Sequence, residues 1–170
     1  MTPSPIPEPG PRRHLLIAAC GSDQQVAATL AATATAVATA LGWPLQTLGD
    51  GEDPAEALTG LHRHGDPWLA ALPIDPGKPL AAGDCWAETL AAWRQPVLLL
   101  ITADQLATGT AAGATALLRQ MGVPLLGLLQ VGGDWQAAPR RRDGLPWLGP
   151  IDDSASLALL IHRRLDQFEG

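Results

Sequence analysis

The chain alternates short apolar segments with longer segments of high helix propensity, and this alternation constrains its fold more than any other feature. The first apolar segment, Leu15 to Ala19, is followed by turn residues 20–23 and then by an alanine-rich segment that extends to Leu41. Short apolar runs bounded by turn residues are typical of buried strands, and alanine has the highest helix propensity. The beginning of the chain therefore predicts a strand, a turn and a helix.

The same alternation continues to the end of the chain. Further strands are predicted at residues 44–48, 67–72, 96–101, 125–131 and 146–149, and further helices at 53–64, 85–94, 109–121 and 154–168. Asp53 and Pro54 suit the N-cap and first position of the second helix. Short strands joined by helices favour parallel βαβ units. We therefore predict an α/β fold for residues 14–170, a single three-layer domain with a mostly parallel sheet and helices on both faces.

Composition narrows the possible functions. The net charge of −6 argues against nucleic acid as a partner, because binding to a phosphate backbone requires a broad positive surface. No apolar run approaches the roughly 20 residues that span a bilayer, so a membrane partner is not expected either. The two cysteines, Cys20 and Cys85, are too few for a disulfide framework and lack metal-ligand spacing. Reduced thiols and a cytoplasmic location are therefore predicted.

Residues 1–13 contain five prolines and are predicted to form a disordered tail.

In parallel sheets, ligands bind beyond the carboxyl ends of the strands. This rule indicates the turns that follow Ala19, Leu72, Ile101 and Val131. The sequence of residues 96–133, PVLLLITADQLATGTAAGATALLRQMGVPLLGLLQVGG, contains two of these turns. It resembles the dethiobiotin synthetases and the cobyrinate synthase-type proteins, which are P-loop ATPases, and with the first strand and helix the resemblance covers about residues 14–150. It implies a P-loop-NTPase-like version of the fold and a homodimer.

The resemblance also identifies the residues that would correspond to the family's phosphate loop, G-T-D-T-G-V-G-K-T. Without a gap, that loop matches residues 21–29, in which Gly21, Ser22, Asp23 and Thr29 are the residual cofactor-binding positions. The family's lysine is replaced by Ala28. Because a charge-assisted contact contributes about 1.5–3 kcal/mol, the loss of that lysine predicts that a triphosphate is not bound in the usual way.

Three further positions of the family pattern are replaced here. Trp43 stands at the lysine of the phrase K-P-V-Q-T-G, Ala71 at the metal-binding glutamate, and Val131 at the asparagine that reads adenine. The resemblance therefore implies a degenerate, non-catalytic member, with no catalytic residue, metal or cofactor expected. The predicted function is a binding or scaffold module with a regulatory role, whose partner is a protein or a second copy of the chain.

Alternative functions remain open at this level. An ATP-dependent ligase of the dethiobiotin synthetase type would use ATP and magnesium, with Thr29, Lys78 and the arginines at 140–142 in unusual roles. The opening segment also resembles the universal stress proteins, some of which bind ATP. Finally, Arg12 to Cys20 resembles a lipoprotein signal, although its apolar part of about six residues is shorter than the roughly 7–15 that signals need.

Several surface residues have both a functional and a structural interpretation. Ser22 and Asp23 are suited to capping the first helix, and Arg140, Arg141 and Arg142 could contact an acidic partner or a phosphate, or simply be solvated. Trp86 and Trp93 lie seven residues apart on one face of a predicted helix, and this face could either fill the core or form a surface for a partner. Solvated side chains in loops are expected for Asp75, Asp84 and Asp104, and no metal is expected at His62 and His64.

Overall fold

The computed structural model describes residues 13–152 and 154–169, so nearly all of the predicted tail lies outside the described residues. The strands are β1 (His14–Ala19), β2 (Leu45–Thr47), β3 (Trp68–Ala71), β4 (Val97–Thr102), β5 (Leu125–Val131) and β6 (Trp147–Pro150). The helices are α1 (Asp23–Leu41), α2 (Pro54–His62), α3 (Trp86–Ala92), α4 (Thr110–Met121), α5 (Ala137–Arg142) and α6 (Ser154–Glu169). No helix within these ranges is long and apolar enough to cross a membrane.

The strands form one sheet in the order β2-β3-β1-β4-β5-β6. Every pair of neighbouring strands is parallel, with His14 opposite Trp68 and Ala19 opposite Leu100 on the two sides of β1. The predicted α/β fold is confirmed, and the sheet is wholly parallel. Because β1 lies between β3 and β4, the turns that follow these three strands meet at the centre of the carboxyl edge.

Helices cover both faces of the sheet and give three layers. Alternate residues of β1 point to opposite faces, so that Leu15 and Ile17 pack with α1 and α6, whereas Leu16 and Ala18 pack with α2, α3 and α4. Nearly all of β1 and β4 is fully buried, as expected for central strands of a parallel sheet.

The predicted helix starts follow from local capping. Ser22 caps α1 through a reciprocal capping box with Gln25, and Gly42 ends the helix in the left-handed conformation with φ of 67°. The Asp53 carboxylate accepts the Glu56 N–H at the start of α2, where Pro54 occupies the first turn. These contacts confirm the predicted capping roles of Ser22 and Asp53.

Three elements depart from the predicted pattern. A 3-10 turn, Asp104–Ala107, follows β4, and the arginine-rich segment predicted as a loop forms α5. The third helix is also shorter than predicted: it ends at Ala92, and Arg94 has a φ of 50°, which is outside the helical region. The chain turns there toward β4 because a residue with positive φ cannot continue a right-handed helix.

Candidate functional site

A cavity of about 450 Å³ opens at the carboxyl edge of the sheet. Its walls come from the turn after β1 (Cys20 and Gly21), from residues 75–78 after β3, and from one side of α4. This is the region in which the strand order predicts a ligand, because the connections after β3 and β4 cross one face of the sheet and the connection after β1 crosses the other. The cavity is therefore the principal candidate site.

The Asp75 carboxylate joins the two turns that border the cavity. Its Oδ2 atom accepts the Gly21 N–H at 2.8 Å, and its Oδ1 atom accepts the Gly77 N–H at 2.9 Å. Backbone N–H groups at the beginning of a helix are the donors that normally bind an anionic ligand. Gly21 directly precedes the N-cap of α1 and Gly77 lies in the loop after β3, so the Asp75 carboxylate fills an anion position between these two turns. The expectation that Asp75 is a solvated loop residue is wrong.

Lys78 provides the only ammonium group of a lysine side chain in the sequence. Its Nζ atom contacts both carboxylate oxygens of Asp23, each at 2.7 Å. Both side chains are largely exposed, so the pair contributes little to stability. The ion pair instead affects ligand binding, because the Lys78 charge that could neutralise a bound phosphate is already paired.

The residual phosphate-loop positions do not form a loop of the usual length. Only residues 20–22 separate β1 from α1. The Ser22 N–H donates to Gln25 Oε1 at 2.9 Å, so this amide has a partner as well. Thr29 lies well inside α1 and is 7% exposed, and its hydroxyl donates to the Gln25 carbonyl oxygen at 2.8 Å. Of these positions, the structure thus places Gly21 in the wall of the candidate cavity, Ser22 and Asp23 at the start of α1 beside it, and Thr29 within the helix.

Cys20 forms the floor of the cavity and is 5% exposed. Burial, together with the negative charge of Asp75, raises the pKa of this thiol to about 12. The thiol is therefore protonated and is a weak nucleophile at neutral pH. Within the described residues, Cys20 and Cys85 are both free cysteines.

Gln105 fixes the geometry between the turns after β1 and β4. Its Nε2 atom donates to the Cys20 carbonyl oxygen at 2.8 Å, and its Oε1 atom accepts the Thr102 N–H at 3.1 Å. The side chain is 7% exposed and makes both bonds in the interior. Nearby, hydrogen bonds from the Thr102 hydroxyl and from the backbone lower the pKa of Asp104, which is fully exposed. Sequence patterns gave no signal for Gln105, because its partner Cys20 is 85 residues away.

The arginines at 140–142 differ in their contacts. Arg140 Nη1 donates to Asp143 Oδ2 at 3.2 Å, and its guanidinium lies 5.2 Å from the centre of the Trp147 ring. Asp143 Oδ2 also accepts the Trp147 indole N–H at 2.9 Å. Arg140 is thus part of a local structural cluster, whereas Arg141 and Arg142 are exposed.

The two tryptophans of the predicted surface helix are separated by the structure. Trp86 is 3% exposed and belongs to the core, which decides between the two interpretations left open for it. Trp93 is 37% exposed and stacks on His62 with ring centroids 5.5 Å apart.

A second cavity, of about 550 Å³, lies on the other side of Asp23. Two more acidic residues, Asp50 and Glu52, line it. Both cavities at this edge therefore contain carboxylates and disfavour anionic ligands. No group of three or more histidine, cysteine, aspartate or glutamate residues within the described ranges is arranged to hold a metal ion.

Comparisons with known proteins give no family and no relative for this chain. No protein-family model matches the sequence, and no curated protein matches it. The site is therefore interpreted from its own geometry.

Proposed function

We propose that this protein is a non-catalytic binding module, a degenerate relative of the dethiobiotin synthetase-type P-loop proteins that has lost nucleotide chemistry. The observation that carries the proposal is the bonding of Asp75 to the Gly21 and Gly77 amides. A phosphate group would have to displace this carboxylate and would meet no unpaired lysine. The wholly parallel sheet with helices on both faces is compatible with this family but is shared by other α/β proteins.

Electrostatics supports the same conclusion. A triphosphate needs several converging N–H groups and compensating positive charge. At the turn after β1, the two amides that lead into α1 are bonded to Asp75 and Gln25, and the lysine is bonded to Asp23. Tight binding of a nucleotide would require all three contacts to break, and the net charge of −6 adds a general repulsion.

The ligase alternative requires Thr29, Lys78 and the arginines at 140–142 to act on one substrate. Each of the named groups with a described contact is engaged elsewhere: Thr29 with Gln25, Lys78 with Asp23, and Arg140 with Asp143. No observation in the structure favours this alternative or the stress-protein alternative.

The scaffold or regulatory role implies a macromolecular partner, and we propose self-association or a protein partner. Exposed apolar side chains are present on α6, where Leu159 is 67% and Phe168 is 46% exposed. Large exposed apolar side chains are a common component of interfaces. Sedimentation velocity at several protein concentrations tests self-association: a dimer is expected, and a monomer at all concentrations would contradict a homodimer.

Isothermal titration calorimetry of the full chain with Mg-ATP tests the loss of nucleotide binding. The expected result is no binding heat at millimolar nucleotide. Micromolar affinity would overturn the proposal. The Thr29→Val variant is the matched control, because a nucleotide bound through a magnesium-binding hydroxyl at residue 29 would lose affinity in this variant.

A further inference from the structure

The cavity at the carboxyl edge has the composition of a site for a small organic molecule. Its apolar wall is formed by Pro76 and the α4 residues Ala114, Leu117 and Leu118, and Asp75, Lys78 and Thr110 are its polar side chains. Leu117 is 38% exposed although it is a large apolar residue. A concave site with apolar walls and a few polar groups is the usual arrangement for small ligands. The shape alone thus favours a ligand with an apolar body.

Gly113 keeps one wall of this cavity open. It lies inside α4, where glycine is less favourable than alanine, and a Cβ atom added there would meet no atom within 4 Å. On the opposite wall, a Cβ atom at Gly77 would lie 2.5 Å from Leu117 Cδ2, so the turn and the helix are already in close contact there. The open space is therefore next to Gly113, and a larger side chain at this position would fill it without disturbing the core.

The charges around the cavity determine the sign of the ligand. Asp75 lines it and uses one acceptor site on each oxygen for the Gly21 and Gly77 amides. A carboxylate has about four such sites, so Asp75 can accept further hydrogen bonds. The Lys78 ammonium is paired with Asp23, which leaves the Asp75 charge without an equivalent positive partner among the described contacts. The excess charge at the cavity is negative.

We propose that this cavity binds a small organic ammonium ion, with its apolar body against Leu117 and Leu118 and its N–H groups donating to Asp75. This inference deepens the proposed function by giving the non-catalytic module a ligand class, and it rests on that proposed function, in which no nucleotide binds at this turn. Cationic ligands are favoured over neutral ones of the same shape because a charge-assisted hydrogen bond is about twice as strong as a neutral one.

Three probes of matched shape test the proposal: phenethylamine, 2-phenylethanol and 3-phenylpropanoate, which differ in the charge of the terminal group. Binding to the full chain is followed by the backbone amide resonances of Gly21, Gly77 and Gly113. The amine is expected to shift these resonances saturably and to bind about tenfold more tightly than the alcohol. The carboxylate is expected to cause no saturable shift.

Two variants locate the site. Asp75→Asn should reduce the affinity for the amine to about that for the alcohol, and Gly113→Leu should abolish binding of both. Gly60→Leu is the matched control, because Gly60 is a glycine of α2 that also has open space around it and does not line this cavity. If Asp75→Asn does not fold, the three probes on the unmodified chain and the two glycine variants still decide whether this cavity binds the amine.

Opposite results would overturn the inference. It fails if the carboxylate binds as tightly as the amine, if no probe shifts these amides, or if Gly113→Leu binds the amine as the unmodified chain does. These failures are distinguishable from failure of the proposed function, which is measured by Mg-ATP binding. A chain that binds neither Mg-ATP nor the amine would retain the proposed function and lose only the ligand class.

Discussion

The two edges of the sheet use polar groups in opposite ways. At the amino edge, aromatic rings close over the strand ends: His14 stacks on Trp68 with ring centroids 4.9 Å apart, and His62 stacks on Trp93. The polar group at this edge is Gln95, which is 1% exposed and bonds to His62 Nε2 at 2.9 Å. Gln95 and His62 are thus bonded to each other beside stacked rings, whereas the buried Trp68 indole Nε1 has no hydrogen-bond partner among the described residues.

At the carboxyl edge, carboxylates and amides surround open space. Asp75 is half-buried, and the Lys78–Asp23 pair is exposed to solvent beside the 450 Å³ cavity. Satisfied hydrogen bonds alone therefore do not distinguish a structural cluster from a binding site. The two edges differ in how tightly side chains pack around their polar groups. We therefore expect a substitution at the amino edge to lower the free energy of unfolding more than one at the carboxyl edge.

The largest effect is expected from Trp68→Ala at the amino edge. Trp68 is 1% exposed, and loss of a buried tryptophan side chain costs about 3–5 kcal/mol. Urea unfolding monitored by circular dichroism measures the change. Trp93→Ala is the matched control: because Trp93 is 37% exposed, its loss should cost about 1 kcal/mol. Equal costs for the two variants would break the distinction between buried and exposed members of the cluster.

At the carboxyl edge, the next largest effect is a dependence of stability on alkaline pH. The pKa of Cys20 is raised from 9.0 to about 12 in the folded chain, so the folded thiol keeps its proton when the unfolded thiol loses it. Stability from this group is complete below the unfolded pKa and falls as pH rises toward 12. The free energy of unfolding should fall by about 2 kcal/mol between about pH 8 and pH 10.5.

Unfolding of Cys20→Ala and Cys85→Ala across this pH range isolates the contribution of Cys20. Cys20→Ala should lack this part of the decline, and Cys85→Ala should retain it. An unchanged decline in Cys20→Ala would show that the thiol at the floor of the cavity titrates as it does in the unfolded chain.

The smallest effect is expected from Ser22→Ala, which removes the cap of α1 at the carboxyl edge. Loss of such a cap costs about 1 kcal/mol. Chemical denaturation of Ser22→Ala beside Gln24→Ala, an exposed substitution in the same turn, measures it. A loss from Ser22→Ala as large as that from Trp68→Ala would contradict the proposed difference between the edges.

The sequence predicted most elements because their signals are local. Hydrophobic runs identified the strands, and Ser22 and Asp53 marked helix starts through caps that involve residues three positions away. The helix of residues 137–142 was missed because its three consecutive arginines suggested a solvated loop. The place of Trp86 stayed open because a spacing of seven residues shows that two side chains share a helix face but not whether that face is buried.

The candidate site was less predictable than the helices and strands, because it depends on contacts between distant parts of the chain. Asp75 and Gly21 are 54 residues apart, and no local pattern indicates that the carboxylate of one reaches the amide of the other. The strand order brings them together by placing β3 beside β1. Sequence reasoning therefore indicated this edge and the residues of the first turn as a candidate site, but not the side chain that fills the anion position.

The most direct test of the filled anion position is a titration of the ¹⁵N-labelled full chain with Mg-ATP, followed at the Gly21, Ser22 and Gly77 amides. Calorimetry reports affinity, whereas these resonances report the place of binding. Because Asp75 and Gln25 already occupy the three donors, no saturable shift is predicted up to millimolar nucleotide. A saturable shift of the three amides at micromolar Mg-ATP would show that a phosphate replaces the Asp75 carboxylate, and would contradict the account.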